Sequence, residues 1–234
     1  PLRAEQSAAL RTFFDDLRKR GNSVEASLRG VLIAVLMSPD FFLHFQHEPP
    51  NAGVQPLAEF DLAERLSFFL WSSLPDADLF AAAQQSKLRD EKELLSQVRR
   101  MMKDPRMDGF AREFFGQWLR YRDYLAKDPI NAPAFPGYDD TLRQAMFEEP
   151  TRFVLDLIQN DRSVLELLHG DATFVNGALA KHYGGEMARQ YEAASSNPSD
   201  WHRVTGLRSE GRGGLMGMGV ILTKLSKGER TSPV

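Results

Sequence analysis

An all-α fold, a multi-helix bundle with a small irregular C-terminal segment, is predicted by three observations. Apolar residues recur at three- and four-residue steps along most of the 234 residues, residues able to cap helices stand ahead of those runs, and Pro- and Gly-rich stretches separate them. In residues 3–20 the apolar positions Ala9, Leu10, Phe13, Phe14 and Leu17 share one helical face, and Gly21-Asn22 ends the run. Ser23 caps the next helix with Glu25 in its first turn; Leu28, Val31, Leu32, Val35 and Leu36 are read as its buried stripe, and Ser38-Pro39 breaks it. This pair is an N-terminal helical hairpin, residues 1–48, and the Pro- and Gly-containing stretch 48–53 is a linker.

A central helical domain, residues 57–184, follows. Residues 57–71 read as a helix with Phe60, Ala63, Leu66 and Leu70 on one side, Pro75-Asp76 starts another, and Asp90 caps a third whose basic end, Arg99, Arg100 and Lys103, suits the negative pole of the helix dipole. Phe110, Phe114 and Trp118, with Phe115 and Leu119 alongside, form adjacent rows at four-residue spacing, read as a buried stripe and the hub of the core. Residues 128–138 are a connection, and Asp139-Asp140 opens a long helix through Ile158 that Pro150 should bend or restart. Residues 163–168 and 175–182 read as short helical pieces and 192–198 as a polar loop. An incomplete C-terminal domain, residues 200–234, holds a short strand at Arg203-Val204-Thr205, a glycine-rich turn at 211–214, and an apolar segment at 215–225. The stretch beyond Leu225 has little apolar surface to bury and is expected to be poorly packed.

Composition narrows function by exclusion. A net charge of -3 and a pI near 6.0 argue against nucleic acid as a partner. The absence of cysteine removes disulfides, thiolate metal sites, iron-sulfur clusters and covalent haem attachment within this segment. The longest apolar stretch, residues 31–37, is far short of the roughly 20 residues of a membrane-spanning helix, so no transmembrane segment is expected.

Few residues suggest chemistry. Glu148-Glu149 invites a general-acid reading, yet neighbours on a helix point about 100° apart, so one carboxylate is expected in solvent. His44 and His47 have metal-ligand spacing but nothing nearby completes a site. His182, at a helix end before Gly184, is explained by capping and the dipole, with catalysis or haem ligation as the sharper alternative. Arg212-Gly213-Gly214 frees backbone amides but lacks the spacing and Lys of a phosphate loop. Met216 and Met218 are read as packing residues rather than haem ligands, and Trp71 and Trp118 as core.

The chain also resembles a set of adjoining domains of unknown function, families 1595, 1592 and the start of 1588, from large secreted planctomycete-type proteins linked to c-type cytochromes. The resemblance runs through Leu36-Met37-Ser38-Pro39-Asp40-Phe41-Phe42, Arg65-Leu66-Ser67-Phe68-Phe69-Leu70-Trp71, Gln117-Trp118-Leu119, Asp161-Arg162-Ser163-Val164-Leu165 and Leu179-Ala180-Lys181-His182-Tyr183-Gly184. Pro1-Leu2 is similar to the end of a longer opening phrase, and Arg212-Gly213-Gly214-Leu215 with Thr231-Ser232-Pro233-Val234 is similar to the opening of the third domain. Both ends therefore read as interior to a longer polypeptide. The resemblance implies a periplasmic or secreted protein in an electron-transfer system. It implies no cofactor in this segment, haem c elsewhere in the full protein, and a c-type cytochrome domain or subunit and other chains of a larger complex as partners. The expected function is a helical scaffold or partner-binding module. The alternative is a redox or hydrolytic enzyme with a site around Glu148, Glu149 and His182, Arg212 assisting.

Overall fold

The computed structural model describes residues 4–43, 56–126, 135, 137–224, 226, 227, 230 and 231. Its architecture is mainly helical, with two two-stranded antiparallel sheets among the described residues. The chain divides into two compact units, Pro1–Pro56 and Leu57–Val234.

The first unit is a helical hairpin, α1 (Ala4–Lys19) and α2 (Val24–Leu36), followed by the short α3 (Pro39–Phe42). Ser23 caps α2 as its sequence position suggested, its Oγ accepting from the Ala26 N–H at 3.1 Å. Gly30 is where the two helices touch, since a Cβ there would stand 2.7 Å from Leu17 Cδ1. The expected buried stripe is only partly enclosed: Val31 and Val35 are half-buried, while Leu28, Leu32 and Leu36 are exposed and Ser27 is the buried residue of α2. A two-helix hairpin has one helix face to offer each partner, too little to enclose a stripe five residues wide.

The second unit begins with α4 (Glu59–Trp71), which ends when Ser72 turns left-handed at φ 53°. Next come α5 (Ala77–Gln84) and α6 (Glu91–Met102), capped by the carboxylates of Asp76 and Asp90 as predicted. These helices enclose Ala63, Leu70, Trp71, Leu79, Leu88 and Met101 in one apolar cluster. Asp76 does more than cap. It accepts two bonds from Arg100 at 2.7 and 3.0 Å and one from Arg106 at 3.1 Å. Burial alone would raise its pKa, but Arg100, the Leu79 N–H and Arg106 together outweigh that and hold it down at about 2. The sign follows: a depressed carboxyl contributes stability above its ordinary value of 3.8 and loses it as pH falls towards 2. Asp76→Ala is expected to cost about 2 kcal/mol at neutral pH, a figure that allows for solvent around the group, and to flatten the acid limb of a urea-midpoint profile.

A 3-10 turn (Pro105–Met107), α7 (Asp108–Phe110), a π-helical turn (Ala111–Phe115) and α8 (Gly116–Trp118) form one continuous stretch. After it, α9 (Asp140–Gln159), capped by Asp139, runs through Pro150 without interruption. The α9 helix is the spine of the unit, with Leu142, Met146 and Phe147 in one apolar cluster and Phe153, Val154 and Leu157 in another. Around it lie α10 (Glu166–His169), β1 (Ala172–Val175), α11 (Gly177–Tyr183), α12 (Gly185–Ala194), β2 (His202–Thr205) and α13 (Gly219–Lys224). Residues 185–194 are helix where a polar loop was expected from 192, and the strand read at 203–205 pairs with β1 in the register Thr173 to Val204. The segments read as central and C-terminal share one core: Leu179 and Ala180 cluster with Val204, Leu207, Val220 and Ile221. Beyond Leu225, β3 (Ser226–Lys227) and β4 (Arg230–Thr231) form a two-residue antiparallel pair.

Candidate functional site

The adjacent carboxylates of α9 lead to different places, and neither is in open solvent. Glu148 is held by Arg112 at 2.6 Å, which also bonds Asp108, and accepts from Gln144 at 3.2 Å. Glu149 turns inward and is 1% exposed. Its Oε1 accepts from Thr173 Oγ1 of β1 at 2.7 Å and its Oε2 from the Tyr183 hydroxyl of α11 at 2.5 Å. That hydroxyl in turn accepts from the Gly219 N–H, the first residue of α13, at 2.8 Å. Arg212 lays its guanidinium over the Tyr183 ring, 4.1 Å from its centre, and donates to the Gly217 carbonyl at 3.0 Å.

One buried carboxyl thus joins α9, β1, α11 and the start of α13, with a cation stacked on the outer side of the relay. Burial pushes the Glu149 carboxyl up to about 7, against the lowering effect of Tyr183, Thr173 and Arg212. The Tyr183 hydroxyl is pushed well up by burial and then by Glu149, so it stays a donor. Chemically the cluster can take up and release one proton inside the fold.

Of the residues singled out from sequence, the fold brings Glu149 and Arg212 to the same tyrosine. Glu148 has its own partners. His182 is exposed on α11, its ring 5.6 Å from that of Tyr183, and its pKa is lowered by partial desolvation and then by the Arg212 charge. His44 and His47 lie outside the described residues. Among the described residues no three His, Asp or Glu side chains gather as metal ligands. Met218 is buried in the apolar cluster against α9, whereas Met216 is exposed. Sequence reasoning missed Tyr183 and Thr173; a Tyr beside His182 at a helix end was the available signal.

The aromatic rows correct a second expectation. Trp71 and Phe115 are core, but Phe69, Phe114 and Trp118 are 61%, 46% and 59% exposed. The rings form a ladder: Phe69 lies edge-on to Phe110 at 5.4 Å, Phe110 stacks on Phe114 at 5.0 Å, and Phe114 meets Trp118 at 6.0 Å. Phe115, on the inner face, packs with Phe153, Val154 and Leu157 of α9; residues 114 and 118 lie on the face that α9 does not reach. Here α4 and the 108–118 stretch border an open apolar cleft of about 530 Å3, rimmed by Ser72, Glu113 and Gln117. No described helix is long and apolar enough to cross a membrane.

No curated protein and no solved structure matches the chain. The family model described as PSD4, protein of unknown function (DUF1592), matches residues 57–184, which hold α4 to α11, the aromatic ladder, Glu149 and Tyr183. Since that match spans more than half of the sequence, the chain belongs to this family of unknown function.

Proposed function

We propose that the chain is a helical docking module of a larger exported protein, presenting its aromatic cleft to a c-type cytochrome domain or subunit of a periplasmic electron-transfer system. The observation that carries this reading is the exposed ladder of Phe69, Phe114 and Trp118. Rings locked against one another lose little freedom on binding, and aromatic anchors inside a polar rim are the groups that dominate protein interfaces. The cytochrome as occupant, and the exported location, come from the resemblance of the Leu179-Ala180-Lys181-His182-Tyr183-Gly184 and Arg65 to Trp71 motifs to domains that accompany such modules. The buried Glu149 relay supports a structural rather than catalytic part for the helices, because its carboxyl is closed to a substrate.

The test is a titration of the chain with a purified c-type cytochrome domain. Haem quenches nearby indole emission, so Trp118 should lose fluorescence saturably. With affinities of the variants followed by calorimetry, Trp118→Ala and Phe69→Ala should each weaken the complex by about 2 kcal/mol, roughly thirty-fold, with unfolding free energies unchanged within about 0.5 kcal/mol. Equal affinity in both variants would remove the cleft from the interface, and no saturable quenching would remove the cytochrome.

A further inference from the structure

A second cleft, of about 700 Å3, opens on the far side of the Tyr183 relay between α10 and the glycine-rich turn. Its walls carry Arg208, Arg212 and His169, with the backbone of Gly211, Gly213 and Gly217. The turn that sets the two arginines is rigid by construction. Gly214 has φ 57°, and a Cβ there would stand 2.5 Å from the Leu168 carbonyl, so the chain is pressed onto the end of α10 where only glycine fits. The Gly214 N–H donates to the Gly170 carbonyl at 3.0 Å and the Arg208 N–H to Asp171 Oδ1 at 2.8 Å.

Each guanidinium is fixed by carbonyls rather than by acids. Arg208 donates to the His169 carbonyl through Nη2 at 2.6 Å and Nε at 3.1 Å, its Nη2 also lies 3.2 Å from His169 Nδ1, and Arg212 donates to the Gly217 carbonyl through Nη1. Among the described residues no carboxylate oxygen lies within 4.0 Å of either side chain. Their neighbours show the contrast: Arg162 is paired with Glu166 at 2.5 Å, and Arg162 and Arg203 both lie 3.5 Å from Asp156. The acid in the cleft wall, Glu210, is turned to the first turn of α12, 3.0 Å from where a Gly185 Cβ would be. Behind Tyr183, Glu149 keeps its proton further towards neutral pH than an ordinary carboxylate, which leaves the Arg212 charge less compensated. Arg208 through Nη1, and Arg212 through Nε and Nη2, therefore keep N–H groups without a partner among the described residues on the walls of one open cleft.

The geometry points to an oxyanion-binding cleft, in which a small molecule bearing a carboxylate or phosphate group sits between Arg208 and Arg212 above the 211–214 turn. Guanidinium forks match both groups in two-point geometry, and the volume suits a metabolite-sized ligand. Glu210 on the wall disfavours a second negative group on that side. The assignment is independent of the aromatic cleft and of any cytochrome.

The experiment titrates the isotopically labelled chain with inorganic phosphate and, separately, with succinate, at constant ionic strength held with chloride, following the amide signals of Gly211, Gly213 and Gly217. At least one anion should give saturable shifts. Arg208→Gln, an exposed position, should raise its Kd at least tenfold, and Glu210→Gln should lower it. Arg212→Lys keeps the charge over Tyr183 but not the fork, and should also weaken binding at least fivefold, which decides the matter if Arg208→Gln melts early. Saturation by phosphate alone assigns a phosphate-bearing ligand, and by succinate alone a carboxylate-bearing one. Shifts that fail to saturate with either anion, or a Kd unchanged in both arginine variants, overturn the assignment.

Discussion

Glu149→Ala is expected to lower the unfolding free energy by about 3–5 kcal/mol at pH 5, because it opens a cavity in the core and strands two hydroxyls there. Thr173 and Tyr183 both direct their O–H groups at this carboxyl, and Tyr183 also carries the Gly219 N–H. Glu149→Gln fills the space and should cost less, about 1–2 kcal/mol. It should also erase a pH dependence whose direction is fixed by the raised carboxyl. The folded protein keeps the Glu149 proton to about pH 7, the unfolded chain only to the ordinary 4.5, so the fold binds more protons in between. This contribution to stability is complete below pH 4.5, declines as pH rises through 7, and is then gone, an amplitude of about 3 kcal/mol. Urea-midpoint profiles of the parent and Glu149→Gln from pH 4 to 8 measure it. Parallel profiles would mean that the fold does not raise the pKa of Glu149.

Trp71→Ala should be comparably damaging, at about 4 kcal/mol, with a fall in melting temperature of roughly 10 °C. The indole is 3% exposed and donates through Nε1 to the Met101 carbonyl at 3.1 Å, tying α4 to the end of α6. One face carries Arg106, whose guanidinium carbon lies 3.5 Å from the ring centre, with Arg100 at 5.6 Å. Both arginines are in turn held by Asp76. Removing the ring deletes the floor beneath that ion cluster as well as the volume within the apolar cluster. Trp71→Phe should recover more than half of the loss. Trp118→Ala, one tryptophan for another on an open face, makes the control in the same melting experiment.

The helices were legible in the sequence wherever a local rule governs. Ser23, Asp76, Asp90 and Asp139 each cap the helix they precede, because a side-chain oxygen three residues from an N–H needs no information from elsewhere. Faces were legible, but not what covers them. Four-residue spacing placed Phe110, Phe114 and Trp118 on one side of a helix, and only the fold decides that α9 takes the Phe115 side and leaves the other open. The same limit separated Leu28, Leu32 and Leu36 from the burial expected of them. Glu149 shows the limit at the site. Its neighbour Glu148 suggested solvent, while the residues that enclose it, Thr173, Tyr183 and Gly219, arrive from β1, α11 and α13, 24, 34 and 70 positions on. The glycines of the 211–214 turn were read correctly as a turn, but the carbonyls that orient Arg208 and Arg212 depend on His169 and Gly217.

The pairing of β1 with β2 bears on how the polypeptide matures on the ribosome. The region matched by the family ends at residue 184, yet Thr173 has its strand partner at Val204, and Glu149 reaches α13 through Tyr183. A nascent chain released only as far as residue 184 holds a carboxyl whose enclosure is unfinished and an apolar surface still waiting for Val204, Leu207, Val220 and Ile221. At about 5–20 residues per second that interval lasts a few seconds, long enough for a holdase to engage it and for premature termination there to yield an aggregation-prone product.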